Sequence, residues 1–358
     1  MARRKLSAKQ LEQAVLQQLN AQTPPKPPRT FNPLKASAEE LLKYALPRKP
    51  PRANQAAYKI WKLIVETAVS QGRRVRSGGY GFVTASDYGI GSPRANFPGA
   101  QESSKNWSGI VARSVEAPSF TQVYGVWQMP VISAPLGVGK RSYRCSTWIG
   151  LDGHDPTSPA MPQIGVTMKV DTGIGSPGPT YEAWVQWWSR MFSAEYKLPP
   201  QVIQGFTINK GDVIACVIDV KDPWNVNVTI ANRTTNTSKS QPLSGIVTLP
   251  PPLQTISIPL GPVSGTTAEW IAERPALIKK PKALFQLPVF DTVTFSPATV
   301  QKPPLLPGPV TTIRMVEPVA FPRPELLVLS RARRDYAANG TQMVTVGPGL
   351  ERAIGGQR

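Results

Sequence analysis

The sequence predicts an all-β domain, an antiparallel sandwich or barrel, preceded by a basic, partly helical N-terminal extension. Three observations carry this. From Asn106 to about residue 300, short segments alternate apolar and polar residues with a period of two. No helical pattern intervenes between them, which favours antiparallel pairing over crossovers. The charge is also split along the chain: 17 Lys+Arg against 5 Asp+Glu in residues 1–100, 16 against 13 in 101–300, and 8 against 4 in 301–358.

The extension comes first, at residues 1–76. Ser7 can cap a helix carrying Leu11, Val15 and Leu19 at four-residue spacing. "TPPKPPRTFNPLK" breaks it, and "SAEE" at 37–40 is a capping box opening a short helix with Leu41, Leu42 and Ala45. Residues 54–71 carry Tyr58, Trp61, Ile64, Val65 and Ala68 at helical spacing, with Gly72 as the stop. A Gly/Ser-rich stretch over 77–105 reads as a linker. The β domain follows at 106–300. In it "QIGVTMKV" sets Gln163, Gly165, Thr167 and Lys169 against Ile164, Val166, Met168 and Val170. "FTINKGDVIACVIDV" reads as two strands around an Asn-Lys-Gly-Asp turn, and "WNVNVTIANRTT", "QTISIPL" and "DTVTFSPA" continue the pattern. "QKPPLLPGP" then opens a Pro-rich linker and tail over 301–358, with strand-like pieces at 312–316 and 325–330.

Composition excludes several chemistries. No stretch approaches the roughly 18 to 20 consecutive apolar residues of a membrane span. The basic start of the chain is followed by a Gln-rich amphipathic segment, so no secretory signal is readable. Cys145 and Cys216 allow one disulfide or two buried thiols, and neither has metal-ligand spacing. The one histidine, His154, rules out any site needing two imidazoles; it lies in "DGHDPTSP", a turn-rich loop expected to be solvated. "VDTG" at 170–173 has the Asp-Thr-Gly string of aspartic proteases, but those need two copies to pair two carboxylates, and one copy reads as a turn.

Two segments look like parts of a cleft. In "TYEAWVQWWS" one strand face carries Tyr181, Ala183, Val185 and Trp187, and the other Glu182, Trp184, Gln186 and Trp188. Aromatics interrupted by an acid and an amide suit gripping an extended polymer, or packing at half exposure. In "GTTAEWIAERP" Ala268, Trp270 and Ala272 point one way, while Thr267, Glu269, Ile271 and Glu273 point the other.

Seven pieces then occur in order: "NWSG" at 106, "STWIGLDG" at 146, "PQIGV" at 162, "YEAWVQWW" at 181, "INKGDVI" at 208, "AEWIAE" at 268 and "DTVTF" at 291. In these, residues 106–296 resemble the glutamic peptidases, the eqolisin or peptidase A4/G1 family. The resemblance implies a lectin-like, concanavalin A-like sandwich of two antiparallel sheets and a metal-independent endopeptidase acting on polypeptides without a cofactor. It implies a catalytic dyad of Gln163 and Glu269, and a cleft lined by Trp148, Asp152, Glu182, Trp184, Gln186 and Trp188. The family is largely secreted and acid-active. Gln186 departs from the acid the family carries at that place, which argues against a strongly acidic optimum, and the loop from Asp152 to Gln163 departs slightly in length. A monomer is expected.

The competing reading is a non-catalytic sandwich: a capsid-like nucleic-acid binder using the basic arm, or a carbohydrate-binding lectin. The extension itself reads either as a solvated arm or as a pro-region held over an acidic cleft by Coulomb attraction.

Overall fold

The computed structural model describes residues 7–70, 80–82, 88–89, 102–114, 119–136, 141–173, 175–191, 198–249, 257–277, 280–301, 310–319, 325–336, 342–348 and 352–353. Two sheets make the body. In chain order its main strands are β1 (Glu102–Ser104), β2 (Trp107–Arg113), β3 (Gln122–Gln128), β4 (Ser142–Leu151), β5 (Ala160–Asp171), β6 (Thr180–Ser189), β7 (Gln201–Ile203), β8 (Val213–Asp222), β9 (Asn225–Asn232), β10 (Thr237–Ser244), β11 (Thr267–Glu273), β12 (Val293–Phe295), β13 (Ala298–Gln301), β14 (Val310–Val319), β15 (Glu325–Tyr336) and β16 (Gln342–Pro348). The large sheet runs β7-β6-β5-β4-β11-β2-β14-β15-β16-β12, and the small one β10-β9-β8-β3-β13. Pairing along both paths is antiparallel, while β1 runs parallel to β14. The sheets face each other across one apolar core. Ile149, Ile164, Val166, Val185 and Trp270 of the large sheet meet Val123, Ile214, Cys216, Ile218 and Val228 of the small sheet there. This is the all-β sandwich the alternation predicted.

The period-two reading also sorted the two faces of each strand. Ala183, Val185 and Trp187 enter the core between the sheets, whereas Trp184 and Trp188 join Trp107, Trp148, Met161 and Ile271 in a second cluster on the outer face of the large sheet. That outer face carries the candidate site.

The extension forms three helices, α1 (Ala8–Ala21), α2 (Ala38–Lys43) and α3 (Gln55–Val69). Ser7 and Ser37 each close a capping box, and Asn54 caps α3. Leu41, Leu46, Ile60, Trp61, Ile64 and Val65 are buried against Tyr124, Val126, Ala215, Val217 and Ala231 on the outer face of the small sheet. Leu11, Val15 and Leu19 of α1 instead join the core between the sheets. An ion pair fixes the register, with Arg48 Nη2 2.8 Å from Oδ1 of the buried Asp219. Helices α2 and α3 thus lie across the small sheet from the large one, on the side away from the candidate site, while α1 packs into the edge of the core between the two sheets.

Several expectations need amendment. The segment past residue 301 is not a separate tail: β14 pairs with β2 inside the large sheet, and β15 and β16 extend it. Three pieces of the expected linker are strands; Tyr80–Phe82 pairs with β7, Tyr88–Gly89 with Ala276–Leu277, and β1 with β14. Much of the rest of that stretch lies outside the described residues. The first half of the expected hairpin at 206–210 is not a strand, because the Asn209 amide donates to Asp212 Oδ2 (2.9 Å) and closes a local turn at Gly211 instead of joining a ladder. Cys145 and Cys216 are free, buried thiols in different sheets. Asp171 of the lone Asp-Thr-Gly string pairs with Arg144 at 2.8 Å. Among the described residues no helix is long and apolar enough to cross a membrane.

Candidate active site

The antiparallel register stacks side chains into rows across the outer face of the large sheet. One row reads Val111, Glu269, Gly150, Gln163, Gln186 from β2 to β6. The next reads Gly109, Ile271, Trp148, Gly165, Trp184, and the third Trp107, Glu273, Ser146, Thr167, Glu182. Each row alternates large and small residues where it must. A Cβ at Gly165 would come within 2.4 Å of the Trp148 Cβ, so the glycine is what lets the Trp148 and Trp184 indoles lie on either side of it. Gly150 plays the same part for Glu269 and Gln163. Two strand spacings put their Cα atoms about 10 Å apart across Gly150, and the Trp148 indole leans over that glycine. A Cβ at Gly150 would sit 2.8 Å from Trp148 Cζ3 and 3.5 Å from Glu269 Oε2.

Both polar groups are fully buried. Glu269 Oε1 accepts from the Thr267 hydroxyl (2.6 Å) and from the His154 main-chain N–H (3.1 Å). Gln163 Nε2 donates to Gln186 Oε1 at 2.7 Å. The remaining acceptors, Glu269 Oε2 and Gln163 Oε1, have no hydrogen-bond donor among the described residues. A buried polar atom without a partner is uncommon; Trp127, Tyr143, Thr147, Asn227 and Gln241 also carry such atoms, and what sets Glu269 and Gln163 apart is that they flank one glycine in a single row. Burial pushes the Glu269 carboxyl up to about 7; the Thr267 hydroxyl and the His154 and Gly153 main-chain N–H groups pull it down, and the Asp152 charge pushes it up further.

The walls are aromatic. Trp148 donates from Nε1 to Glu273 Oε2 (3.0 Å) and stands edge-on to Trp107 at 5.0 Å between centroids. Trp184 donates to the Thr167 hydroxyl at 2.9 Å, and the Arg190 guanidinium lies 5.0 Å over the Trp188 ring. Glu182 is half-buried at the end of the third row, 2.8 Å from Lys169 Nζ. The register therefore brings Gln163, Gln186, Glu269, Trp148, Trp184 and Glu182 onto one face, with Trp188 in the same aromatic cluster.

Asp152 differs. It was expected to line the cleft, but its carboxylate is buried and tied to the turn before β11. It accepts main-chain N–H bonds from Ser264 (2.5 Å), Gly265 (2.9 Å), Thr266 (2.7 Å) and Thr267 (3.4 Å), with Asp152 itself at φ 67°. An aspartate tolerates this left-handed backbone better than most residues. The bonds hold the 152–155 loop against β11, which delivers the His154 N–H to Glu269.

His154 departs furthest from its expected solvated position. Its side chain is buried between two charges. Arg113 Nη2 can only donate, so at 2.8 Å it makes His154 Nδ1 an acceptor, and Nε2–H donates to Glu102 Oε2 at 2.5 Å. Burial holds this imidazole below its usual range, with Arg113 adding to the effect and Glu102 and Asp155 opposing it. Arg190 also braces the loop, donating to the carbonyls of Gly153 (2.8 Å), Asp155 (3.1 Å) and Ser158 (2.9 Å). Nothing in the local sequence pattern marks Glu102, Arg113 or Arg190, since their contacts join distant segments. Among the described residues no group of three or more His, Cys, Asp or Glu is placed to hold a metal ion.

A partly unsatisfied acid–amide pair under aromatic walls, on the face of a β-sandwich, can be set against known proteins. The family model for the Peptidase A4 family matches residues 105–317, more than half of the 358-residue chain. The chain belongs to the peptidase A4 family. The match runs past residue 300 into β14, in agreement with the strand pairing. As a member of this glutamic peptidase family the protein is a glutamic-type endopeptidase, and polypeptides are its substrates. Among solved structures, scytalido-glutamic peptidase bound to a transition-state analog inhibitor is 20% identical, with a TM-score of 0.48 over 68% of this chain and 98% of that one. SCP-B, an eqolisin in complex with the tripeptide Ala-Ile-His, is 19% identical with a TM-score of 0.42 over the same shares. The aspergilloglutamic peptidase of Aspergillus niger is 24% identical, with a TM-score of 0.38 over 57% of this chain and 99% of that one. No curated protein matches the chain.

Proposed function

We propose that the A4 peptidase activity of this chain is carried by Glu269 as general base and then general acid, with Gln163 orienting the attacking water and stabilising the oxyanion. The observation that supports this reading is the pair of buried, donor-free oxygens, Glu269 Oε2 and Gln163 Oε1, on either side of Gly150. Each wants one hydrogen-bond donor. A single water supplies two, one O–H to each, and its lone pair is then turned toward a peptide carbonyl laid along the row. As the oxygen attacks, its proton passes to ionised Glu269; the carboxyl returns that proton to the amide nitrogen as the C–N bond breaks. Gln163 keeps one amide proton free of Gln186, and that N–H can meet the oxygen of the tetrahedral intermediate. Trp148, Trp184 and Trp188, buried with Met161, Phe285 and Ile313, form the apolar bed of the site, Glu182 and Gln186 belong to the same face, and Asp152 serves by holding the loop that feeds an N–H to Glu269.

Digestion of an unfolded polypeptide between pH 4 and 9 tests the assignment. Glu269→Gln is expected to lose at least about 1,000-fold in kcat while melting as a folded protein, and Gln163→Ala about 100- to 1,000-fold, the scale of removing an oxyanion donor. Wild-type kcat/KM should rise as pH rises through about 7, where Glu269 gives up its proton. Undiminished digestion by Glu269→Gln would overturn the assignment.

A further inference from the structure

We propose that Gln186 is a positioning residue that reads the main-chain carbonyl of Leu198 and thereby fixes which atoms of the Gln163 amide face the reacting groups. The inference rests on the role given to Gln163 above. A glutamine amide can enter a site in two senses, oxygen and nitrogen exchanged, and the two have opposite hydrogen-bonding character. Something fixed must break that symmetry. The Leu198 carbonyl can only accept, so the atom of Gln186 lying 2.6 Å from it must be the nitrogen. That leaves Gln186 Oε1 turned to Gln163, where it can only accept, and the atom of Gln163 2.7 Å away must in turn be Nε2. Gln163 Oε1 is then left on the side of Glu269. The polarity of the site thus descends through two amides from one backbone carbonyl.

Burial makes the choice firm. Gln163 and Gln186 are 0% and 1% exposed, so no bulk water compensates a reversed amide. Reversing Gln163 alone would set its oxygen against Gln186 Oε1 and bring an NH2 group to the position where Glu269 needs a hydrogen-bond acceptor for the water's second proton. Reversing both would set Gln186 Oε1 against the Leu198 carbonyl. The clamp is also uncharged and keeps the same sense at every pH. The charged side chains around it are Glu269 and Glu273 on β11, Lys169 on β5, Glu182 on its own strand and Arg190 just past that strand's end.

Two substitutions give different signatures. In Gln186→Glu the new carboxyl copies the clamp only while protonated, its O–H donating to Leu198 and its carbonyl accepting from Gln163. Ionisation would face a negative oxygen with the Leu198 carbonyl. The kcat profile of Gln186→Glu is therefore expected to gain a descending alkaline limb of about 10-fold or more, giving a bell where wild type reaches a plateau. Gln186→Met removes both bonds and should lower kcat about 10-fold at every pH, the scale of one buried hydrogen bond, with KM changed by less than about three-fold and no new limb. Assays run well below each variant's melting temperature, checked by circular dichroism, separate this from unfolding. A Gln186→Glu profile parallel to wild type, or wild-type kcat in Gln186→Met, overturns the proposal. Glu269→Gln assayed alongside keeps the two questions apart: its retained turnover would remove the catalytic assignment, whatever the Gln186 variants do.

Discussion

A carboxyl buried away from water is easier to keep protonated than charged, and Glu269 shows the consequence for stability. Its usual value of 4.5 is raised to about 7 in the folded chain, with burial as the main cause. Between these values the folded protein holds a proton that the unfolded chain has released. The associated stabilisation is therefore full below pH about 4.5 and is lost as pH rises toward 7; a shift of this size corresponds to roughly 3 kcal/mol. Glu269→Gln keeps the shape of the protonated group and cannot ionise. Its melting temperature should match wild type near pH 4 and exceed it near pH 8. Equal differences at the two pH values would show that the carboxyl is not held up by burial. The neighbouring glycine makes a second test at this scale. Gly150→Ala puts a Cβ 2.8 Å from Trp148 Cζ3, so the indole must shift toward its neighbours. The expected cost is about 1–3 kcal/mol of stability, together with a fall in kcat because the added methyl and the displaced indole disturb the space between Glu269 and Gln163. Unchanged kcat would mean that space is not where the chemistry happens.

At the scale of elements, the site is a strand lattice braced by one loop. The lattice was legible in the sequence because strand faces follow a period of two: Glu269 and Trp270 separate onto opposite faces of β11, and Trp184 and Trp187 onto opposite faces of β6. Alternation says nothing about which strands become neighbours, so the row Glu269–Gly150–Gln163–Gln186 needed the register. The loop was illegible. "DGHDPTSP" has the composition of a solvated turn, and only Arg113, Glu102 and Arg190, arriving from other parts of the chain, make it a buried brace. Likewise β14 follows a Pro-rich break that reads as a linker, and its partner β2 lies some 200 residues earlier. Asp152 is the keystone of the loop. Asp152→Asn replaces one accepting oxygen with an NH2 group that faces main-chain donors, so at least one N–H of the 264–267 turn loses its partner. The expected loss is about 2–3 kcal/mol of stability, with kcat down about 10-fold as the His154 N–H withdraws from Glu269. A variant that melts like wild type would show the turn to be held by other contacts.

Across the whole molecule the layers run from α2 and α3 through the small sheet and the large sheet to the face of the candidate site, with α1 at the edge between the sheets. This order bears on the extension, which the sequence left open as a solvated arm or as a basic plug for an acidic cleft. Of the cations in residues 7–70, Arg48 pairs with Asp219 and donates to the Val220 carbonyl (2.5 Å) at the far side of the small sheet, where Gln122 Nε2 also reaches Asp219 at 3.1 Å. Above that network Trp61 is fully buried and donates to the Pro47 carbonyl at 2.8 Å. Such a layer behaves as part of the sandwich rather than as a lid. Removing residues 1–70 would bare Tyr124, Val126, Ala215, Val217 and Ala231 on a sheet face meant to be covered, and would leave Asp219 buried beside no cation. Arg48→Ala is the milder probe of the same idea: stranding the buried carboxylate should cost about 3–5 kcal/mol while kcat, measured on the folded fraction, stays within about two-fold of wild type. A plug would behave oppositely, with Arg48→Ala or the truncated chain turning over substrate faster than the intact protein at some pH, and melting curves recorded beside the pH–rate profiles distinguish the two outcomes.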